Sequence, residues 1–243
     1  MREVLEIIQQ LQTADDIQTL DNILSQFAQS IELEHFAFGV AYPESIQQNE
    51  VNLMHNYPKE WMDFYLAEGY MKKDALVNHG LNYHTPIIWS EITKKNGYNN
   101  EQVAIMKEGS ENGLSSGFSL PVHGTRGEFG LLNFAGQSSN SKASANYDMA
   151  LPYAQVILPA VLDTLQRIRR QQPDTIVKLT KRETECLSWV TEGKSSWEIA
   201  KIIGCAERTV IFHLNNAMLK LNATNRYQAI SKAIFGGLIV PAL

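Results

Sequence analysis

The stretch NYPKEWMDFYLAEGYMKKD, Asn56 to Asp74, gathers aromatic rings around the carboxylate of Asp74. Trp61 and Tyr65 stand four residues apart and share one helix face. Tyr57 ends the strand before them, and Asp74 lies one turn beyond the helix. An aromatic wall with a few inward polar groups is what a small-molecule pocket needs. The same residues also suit an ordinary aromatic core in which Asp74 caps a helix. The local sequence leaves both readings open.

A second stretch, SSWEIAKIIGCAERTVIFHLNNAMLKL, Ser195 to Leu221, has the layout of two short helices joined at Gly204. On the second of these, Val210, Leu214, Ala217, Met218 and Leu221 form one stripe, the side that packs inward. Arg208, Asn215 and, nearer the edge, Ile211 point away from it. Arg pairs bidentately with guanine, Asn with adenine, and Ile can touch a thymine methyl. Thr209, Lys194, Lys201, Lys220 and Arg226 are candidates for phosphate contacts, which position a protein without reading sequence. The competing reading is a plain helical bundle with a solvated polar face.

The elements that must position these residues fall into two groups. The 243-residue chain is 44% apolar and carries a net charge of −5, which suits a globular protein with a real core. That charge is unevenly shared: from Asp174 onward there are 9 Lys and Arg against 6 Asp and Glu, and before it 12 against 20. RIRRQQPDTIVK, Arg167 to Lys178, is polar and broken by Pro173, so a linker is expected over 171–178. Domains are then expected over 1–170 and 179–243.

In the first, Asp15 to Ile31 has apolar residues at helical spacing. Strands are expected over 36–42, 51–57, 85–89, 117–124 and 128–136, the last two joined by a tight Thr125-Arg126-Gly127 hairpin. Helices are expected after Pro58, over 99–112 and over 146–170, with Leu158, Val161, Leu162, Leu165 and Ile168 on one stripe of the last. The run Ser138 to Ser144 reads as a loop. Hairpin-joined strands among helices imply an α+β class: an α-β-α sandwich around an antiparallel sheet. The second domain reads as an all-α helix-turn-helix unit of four helices. Thr180 to Glu183 and Ser195 to Glu198 are capping boxes, Asn225 to Gln228 offers the same caps, and Gly193 and Gly204 end helices.

Enzyme chemistry finds little support. Glu192-Gly-Lys-Ser195 resembles the end of a phosphate-binding loop, but the required first glycine falls at Ser188. No nucleophile elbow occurs. His79 and His84 lack a third ligand in reach, and Cys186 and Cys205 have no metal-ligand spacing, so no metal and no cofactor is expected. His123 and His213 read as structural. The longest apolar run, Ala233 to Leu243, is too short to span a bilayer, and the N-terminus lacks a secretory pattern; a cytoplasmic location with reduced thiols is expected.

The stretch from Leu179 to Ile239 is similar to the DNA-binding domain of LuxR-type transcription regulators. Glu183, Leu187, Gly193, Glu207 to Val210, Phe212 and His213 stand at that family's spacing. Residues 1–170 resemble the acyl-homoserine-lactone-binding domain of its quorum-sensing members, with Tyr57, Trp61, Tyr65, Asp74, Trp89 and Gly117 at matching positions and LPVHGTRGEFGLLNF as the last hairpin. The resemblance implies that the helix from Glu207 reads DNA. It implies that Trp61 donates to a lactone carbonyl, that Asp74 accepts from the ligand amide, and that Tyr57 bonds the amide carbonyl. It places Ser119 and Asn133 at the polar end, with Tyr65 and Trp89 on the ring and chain. Ala206 replaces the family's usual serine cap, Ile211 its usual Lys or Asn, Ala75-Leu76 its frequent Pro-Thr, and Asn133 its usual Ser or Thr. Expected partners are an acyl-homoserine lactone, double-stranded DNA and a second copy of the chain, with no membrane. The alternative is a DNA-binding regulator with a different ligand or none, controlled by a protein partner.

Overall fold

The computed structural model describes residues 2–43, 49–92, 98–137, 140–171 and 177–240. The chain divides into two compact units. One holds Met1–Val40, Val51–His123 and Phe129–Gln171; the other holds Gln172–Leu243 with Ala41–Glu50 and Gly124–Glu128. Most of the expected linker, residues 172–176, lies outside the described residues.

In the N-terminal unit, helices α1 (Arg2–Thr13) and α2 (Ile17–Ser30) precede strands β1 (His35–Pro43) and β2 (Asn49–His55). Then come α3 (Lys59–Ala67), a 3-10 turn (Tyr70–Lys72), α4 (Ala75–Asn82), β3 (Ile87–Ile88), α5 (Trp89–Ile92) and α6 (Asn100–Glu111). The hairpin β4 (Ser116–His123) and β5 (Phe129–Gly136) leads into α7 (Asn140–Arg170). The five strands form one antiparallel sheet in the order β2-β1-β5-β4-β3.

Two helical layers cover the sheet, as an α-β-α sandwich requires. Asp16 starts α2 by accepting from Thr19 N at 2.7 Å, and Leu20, Ile23, Leu24, Phe27 and Ala28 form its buried face. Phe27 meets Phe134 of β5 edge-on at 5.1 Å, and Tyr147 of α7 meets Phe118 of β4 at 5.6 Å. So α1, α2 and α7 pack on the face carrying Phe118, Leu120, Leu132 and Phe134. In register opposite one another on the other face are Ser119 and Asn133. There lies a separate cluster of Trp61, Leu76, Ile87, Trp89, Leu114 and Leu131.

Several boundaries differ from the sequence reading. Strand β3 is only two residues long because Trp89 opens a helix. β2 ends at His55, and Asn56 folds back: its Oδ1 accepts from Phe36 N at 2.7 Å and its Nδ2 donates to the Glu34 carbonyl. Tyr57 therefore stands just past the strand. The expected loop at 138–144 is helical from Asn140 onward. On α7 the buried stripe is Ile157, Val161, Leu165 and Ile168, with Leu158 and Leu162 only half-buried. Arg167 belongs to this helix. Its guanidinium donates to the Leu11 and Ala14 carbonyls at the end of α1, a cation at a helix C-terminus.

The C-terminal unit is four helices: α8 (Lys181–Thr191), α9 (Ser196–Ile203), α10 (Glu207–Lys220) and α11 (Arg226–Phe235). Both capping boxes form, Thr180 with Glu183 and Ser195 with Glu198. Before α11, Asn225 accepts from Gln228 N, while the Gln228 amide oxygen reaches Thr224 N rather than Asn225 N. Gly193 and Gly204 both adopt positive φ, 77° and 68°, which an L side chain resists. The core joins Cys186, Leu187, Val190, Ile199, Val210, Leu214, Ala217 and Ala229; both cysteines are free thiols. At its edge Glu183, almost wholly buried, accepts from Lys220 Nζ at 2.7 Å, tying α8 to α10.

Two tests follow from these caps. Ala206, at the N-cap of α10, offers no side-chain acceptor; Ala206→Ser is expected to raise stability by about 1 kcal/mol in chemical denaturation. Burial pushes the Glu183 carboxyl up, but the Lys220 ammonium and the Thr180 cap outweigh it and hold the carboxyl below its ordinary range. A depressed value stabilises above the unfolded-chain pKa of about 4.3 and is lost as pH falls through the lower folded value. Acid titration of helix content should therefore show a loss that Glu183→Gln flattens.

Candidate ligand pocket and DNA-reading helix

Asp74 is the N-cap of α4, with extended backbone and its Oδ1 accepting from Leu76 N at 2.7 Å. Its Oδ2 accepts from the Tyr65 hydroxyl of α3 at 2.8 Å. The residue is 8% exposed, and burial raises the carboxyl above its ordinary pKa, with the two hydrogen bonds opposing that rise. Asp74 thus caps a helix and is at the same time the buried carboxylate of an aromatic cluster. A carboxylate has about four acceptor sites, and two of them are used here.

Among the described residues the buried Tyr57 hydroxyl has no hydrogen-bond partner. Burial raises its pKa first, and the neighbouring Asp74 charge adds to the rise. Tyr65 is raised in the same way by burial, then by the Asp74 charge and the hydrogen bond to Asp74, with Tyr57 contributing. These three groups therefore share one low-dielectric neighbourhood. An unpaired buried hydroxyl costs about 1–3 kcal/mol, so the Tyr57 hydroxyl is an unmet donor in a site that already holds an acceptor.

Trp61, one turn before Tyr65 on α3, is 5% exposed. Its ring centre lies 5.9 Å from that of Tyr65 and 6.3 Å from that of Tyr70. Gly109 of α6 lies against the indole, where a Cβ would come within ordinary contact distance, 3.4 Å. Trp89 donates its indole N–H to Ser119 Oγ at 2.8 Å, Ser119 donates to Asn133 Oδ1 at 2.6 Å, and Asn133 Nδ2 donates to the Ala37 carbonyl at 3.2 Å. This chain runs from α5 across β4 and β5 to β1. Gly117 permits it, because a Cβ there would strike the Phe134 carbonyl and crowd Trp89.

Trp61 and Trp89 thus belong to one apolar cluster, with Tyr57 and Tyr65 packed against it. Asp74 joins them through Tyr65, and Ser119 and Asn133 join through Trp89. Tyr70 was missed by sequence reading. It donates to Glu108 Oε2 at 2.9 Å while packing on Trp61, but it lies beyond the left-handed Gly69, where helical spacing no longer applies.

In the C-terminal unit α10 buries Val210, Leu214 and Ala217. Arg208, Ile211 and Asn215 are exposed and Thr209 is half-buried, as the stripe requires. Phe212, not counted among the base or phosphate contacts from sequence, is also exposed. Lys201 is exposed, with its Nζ 4.7 Å from the Trp197 ring centre; Lys194 is half-buried and Arg226 exposed. Lys220 is exposed, and its ammonium also braces Glu183.

A profile described as the autoinducer binding domain matches residues 16–165, and one described as bacterial regulatory proteins, luxR family, matches residues 177–233. The chain belongs to the LuxR family of bacterial transcription regulators. The transcriptional activator protein LuxR of Aliivibrio fischeri (strain ES114) is 40% identical over 236 residues, covering 96% of this chain and 93% of its own. VanR of Vibrio anguillarum, also a transcriptional activator protein, is 40% identical over 245 residues and matches both chains end to end. The crystal structure of Escherichia coli SdiA superposes with a TM-score of 0.85 at 24% identity, covering 99% of each chain, which shows the shared fold. As a LuxR-family regulator the chain is not an enzyme, and Tyr57, Trp61, Tyr65, Asp74 and Trp89 all fall within its autoinducer-binding domain.

Removing the Tyr57 hydroxyl should relieve an unpaired donor, so Tyr57→Phe is expected to leave the ligand-free protein as stable or more stable, by up to about 1–2 kcal/mol. Asp74→Ala removes a helix cap and the Tyr65 partner together, and is expected to cost about 2 kcal/mol. Denaturant unfolding without ligand checks both; a destabilised Tyr57→Phe would mean that the hydroxyl has a partner.

Proposed function

We propose that this regulator senses an N-acyl-homoserine lactone in its N-terminal domain and, as a cytoplasmic homodimer, binds a palindromic promoter site. In this reading residues 1–170 are the sensor, 171–178 the linker and 179–243 the DNA reader. The observation that carries it is the buried, unpaired Tyr57 hydroxyl beside the buried Asp74 carboxylate, walled by Trp61 and Trp89. A secondary amide complements that pair, with its N–H donating to Asp74 and its carbonyl accepting from Tyr57. Trp61 supplies an indole N–H for the lactone carbonyl. Tyr65 and Trp89 pack against the ring and chain. Ser119 and Asn133 close the polar end, with Asn133 pinned to β1.

Ligand bound only to the folded state stabilises it by mass action. In this reading that stabilisation favours the dimer, and two copies of α10 reach half-sites about one helical turn apart. Arg208, Ile211 and Asn215 face the bases, while Thr209, Lys194 and Lys201 meet phosphates and Lys220 holds α10 against α8. A protein-controlled regulator without a small-molecule ligand is the other reading; the unpaired hydroxyl argues against it. Among the described residues no helix is long and apolar enough to cross a membrane.

Thermal unfolding against lactones of graded chain length and 3-position tests the sensor. Stabilisation should reach about 2.7 kcal/mol at ligand 100-fold above its dissociation constant, and Trp61→Ala should abolish it. A flat response in folded, ligand-free wild type would favour the other reading. Arg208→Ala should weaken operator binding by about 1–3 kcal/mol with the ligand response intact.

A further inference from the structure

The sensor contains a pair of histidines that the ligand site does not use. His84 lies in the connection between α4 and β3, and His123 is the last residue of β4. Ile87 is paired with Ser119, and continuing that antiparallel register carries His84 level with Val122, beside His123. The two imidazole centres are 4.3 Å apart with their planes at 61°, and both residues are exposed.

Each ring is held from its own side. His123 is backed by Phe129, whose ring centre lies 5.7 Å away. The connection carrying His84 is pinned on both flanks: His79 stacks on Tyr83 at 5.0 Å and bonds the Thr85 carbonyl through Nε2 at 2.8 Å. A pre-positioned pair of imidazoles loses less freedom on taking up a shared ligand than two mobile ones would.

We propose that His84 and His123 form a two-imidazole site for a divalent transition ion of the copper–nickel–zinc class. Imidazole nitrogen suits these ions, whereas magnesium and calcium call for oxygen ligands. With metal–nitrogen bonds of about 2.1 Å, two rings ligating at right angles hold their centres roughly 4.5 Å apart, and at a tetrahedral angle roughly 5 Å. The observed 4.3 Å is a little short of the right-angle spacing, the arrangement that Cu2+ and Ni2+ adopt with nitrogen ligands, and a small turn of these exposed rings would open it. Among the described residues no group of three or more His, Cys, Asp and Glu is placed to hold an ion. The chain therefore supplies two ligands and leaves the other positions to water or an added donor.

The bound ion would join the α4–β3 connection to the end of β4. Those elements carry Asp74 at one end of α4, Trp89 directly after β3 and Ser119 within β4. An ion that binds the folded sensor alone therefore stabilises the frame of the ligand site.

The test uses the full chain, stripped of metal in a non-chelating buffer. Ni2+ is titrated by calorimetry and by thermal unfolding, with Mg2+ as control. Saturable Ni2+ binding and a rise in unfolding midpoint that EDTA reverses are expected, with no response to Mg2+. His84→Ala and His123→Ala should each weaken Ni2+ binding by about tenfold or more, at exposed positions where the fold should persist. In the Cu2+ complex, electron paramagnetic resonance should show two imidazole nitrogens in wild type and fewer in either variant. Nickel affinity unchanged by both substitutions would place the ion elsewhere and overturn the proposal, as would no saturable binding to wild type.

Discussion

A carboxylate removed from water is unfavourable unless its oxygens find hydrogen bonds, and the α3–α4 side of the N-terminal unit is arranged around that requirement at Asp74. The first amides of α4 satisfy one oxygen, and the positive end of that helix suits the charge. The second oxygen takes the Tyr65 hydroxyl from α3. For α3 and α4 to meet at this point the chain must reverse between them, and it does so through Gly69 at a φ of 64°. Trp61 then faces α6 at Gly109. Tyr57 joins the same cluster from just past β2, its hydroxyl without a partner among the described residues. The protein has satisfied its carboxylate and left beside it a donor with no partner among the described residues, and in the proposed reading an amide complements that pair.

The DNA-reading unit is stabilised on different terms. Its helices are short, so their ends matter as much as their apolar faces. Capping boxes at Thr180 and Ser195 and left-handed glycines at Gly193 and Gly204 define four of the boundaries. Glu183 serves twice, as the reciprocal cap of α8 and as the partner of Lys220. That second role makes Lys220, though exposed, part of the frame as well. Among the outward residues of α10 are Arg208, Ile211, Phe212 and Asn215, which combine hydrogen-bonding and apolar character. An acidic sensor and a modestly basic reader on one chain are consistent with this division of labour.

Much of this was legible in the sequence because the signals were local. The capping boxes, the Thr125 to Gly127 hairpin, and the stripe on α10 each depend on residues within a turn or two of each other. Five aromatic and acidic positions between Tyr57 and Trp89 could be named from spacing and family resemblance, and the structure gathers them. What sequence left out depends on distant pairing. The Trp89–Ser119–Asn133–Ala37 chain needs the β3-β4-β5-β1 order, which no single window contains. Tyr70 meets Trp61 only after a glycine reversal, and His84 meets His123 only because β3 lies beside β4. The short β3 and the helical start of α7 were misjudged because a β-rich TPIIW and a serine-rich SSNSKAS carry local preferences that the packed structure overrides.

The proposed donation of the ligand amide to Asp74 is tested most directly by calorimetry with paired ligands. An acyl-homoserine lactone and its N-methylated analogue differ in that single donor. Their dissociation constants would be compared in wild type and in Asp74→Asn, which keeps an N-cap oxygen while removing the charge. A hydrogen bond to a charged acceptor contributes about 1.5–3 kcal/mol, so methylation should weaken wild-type binding by roughly 10- to 150-fold and the variant by much less. Equal losses in both proteins would mean that Asp74 does not receive the amide, and the pocket's organising role for that carboxylate would have to be abandoned.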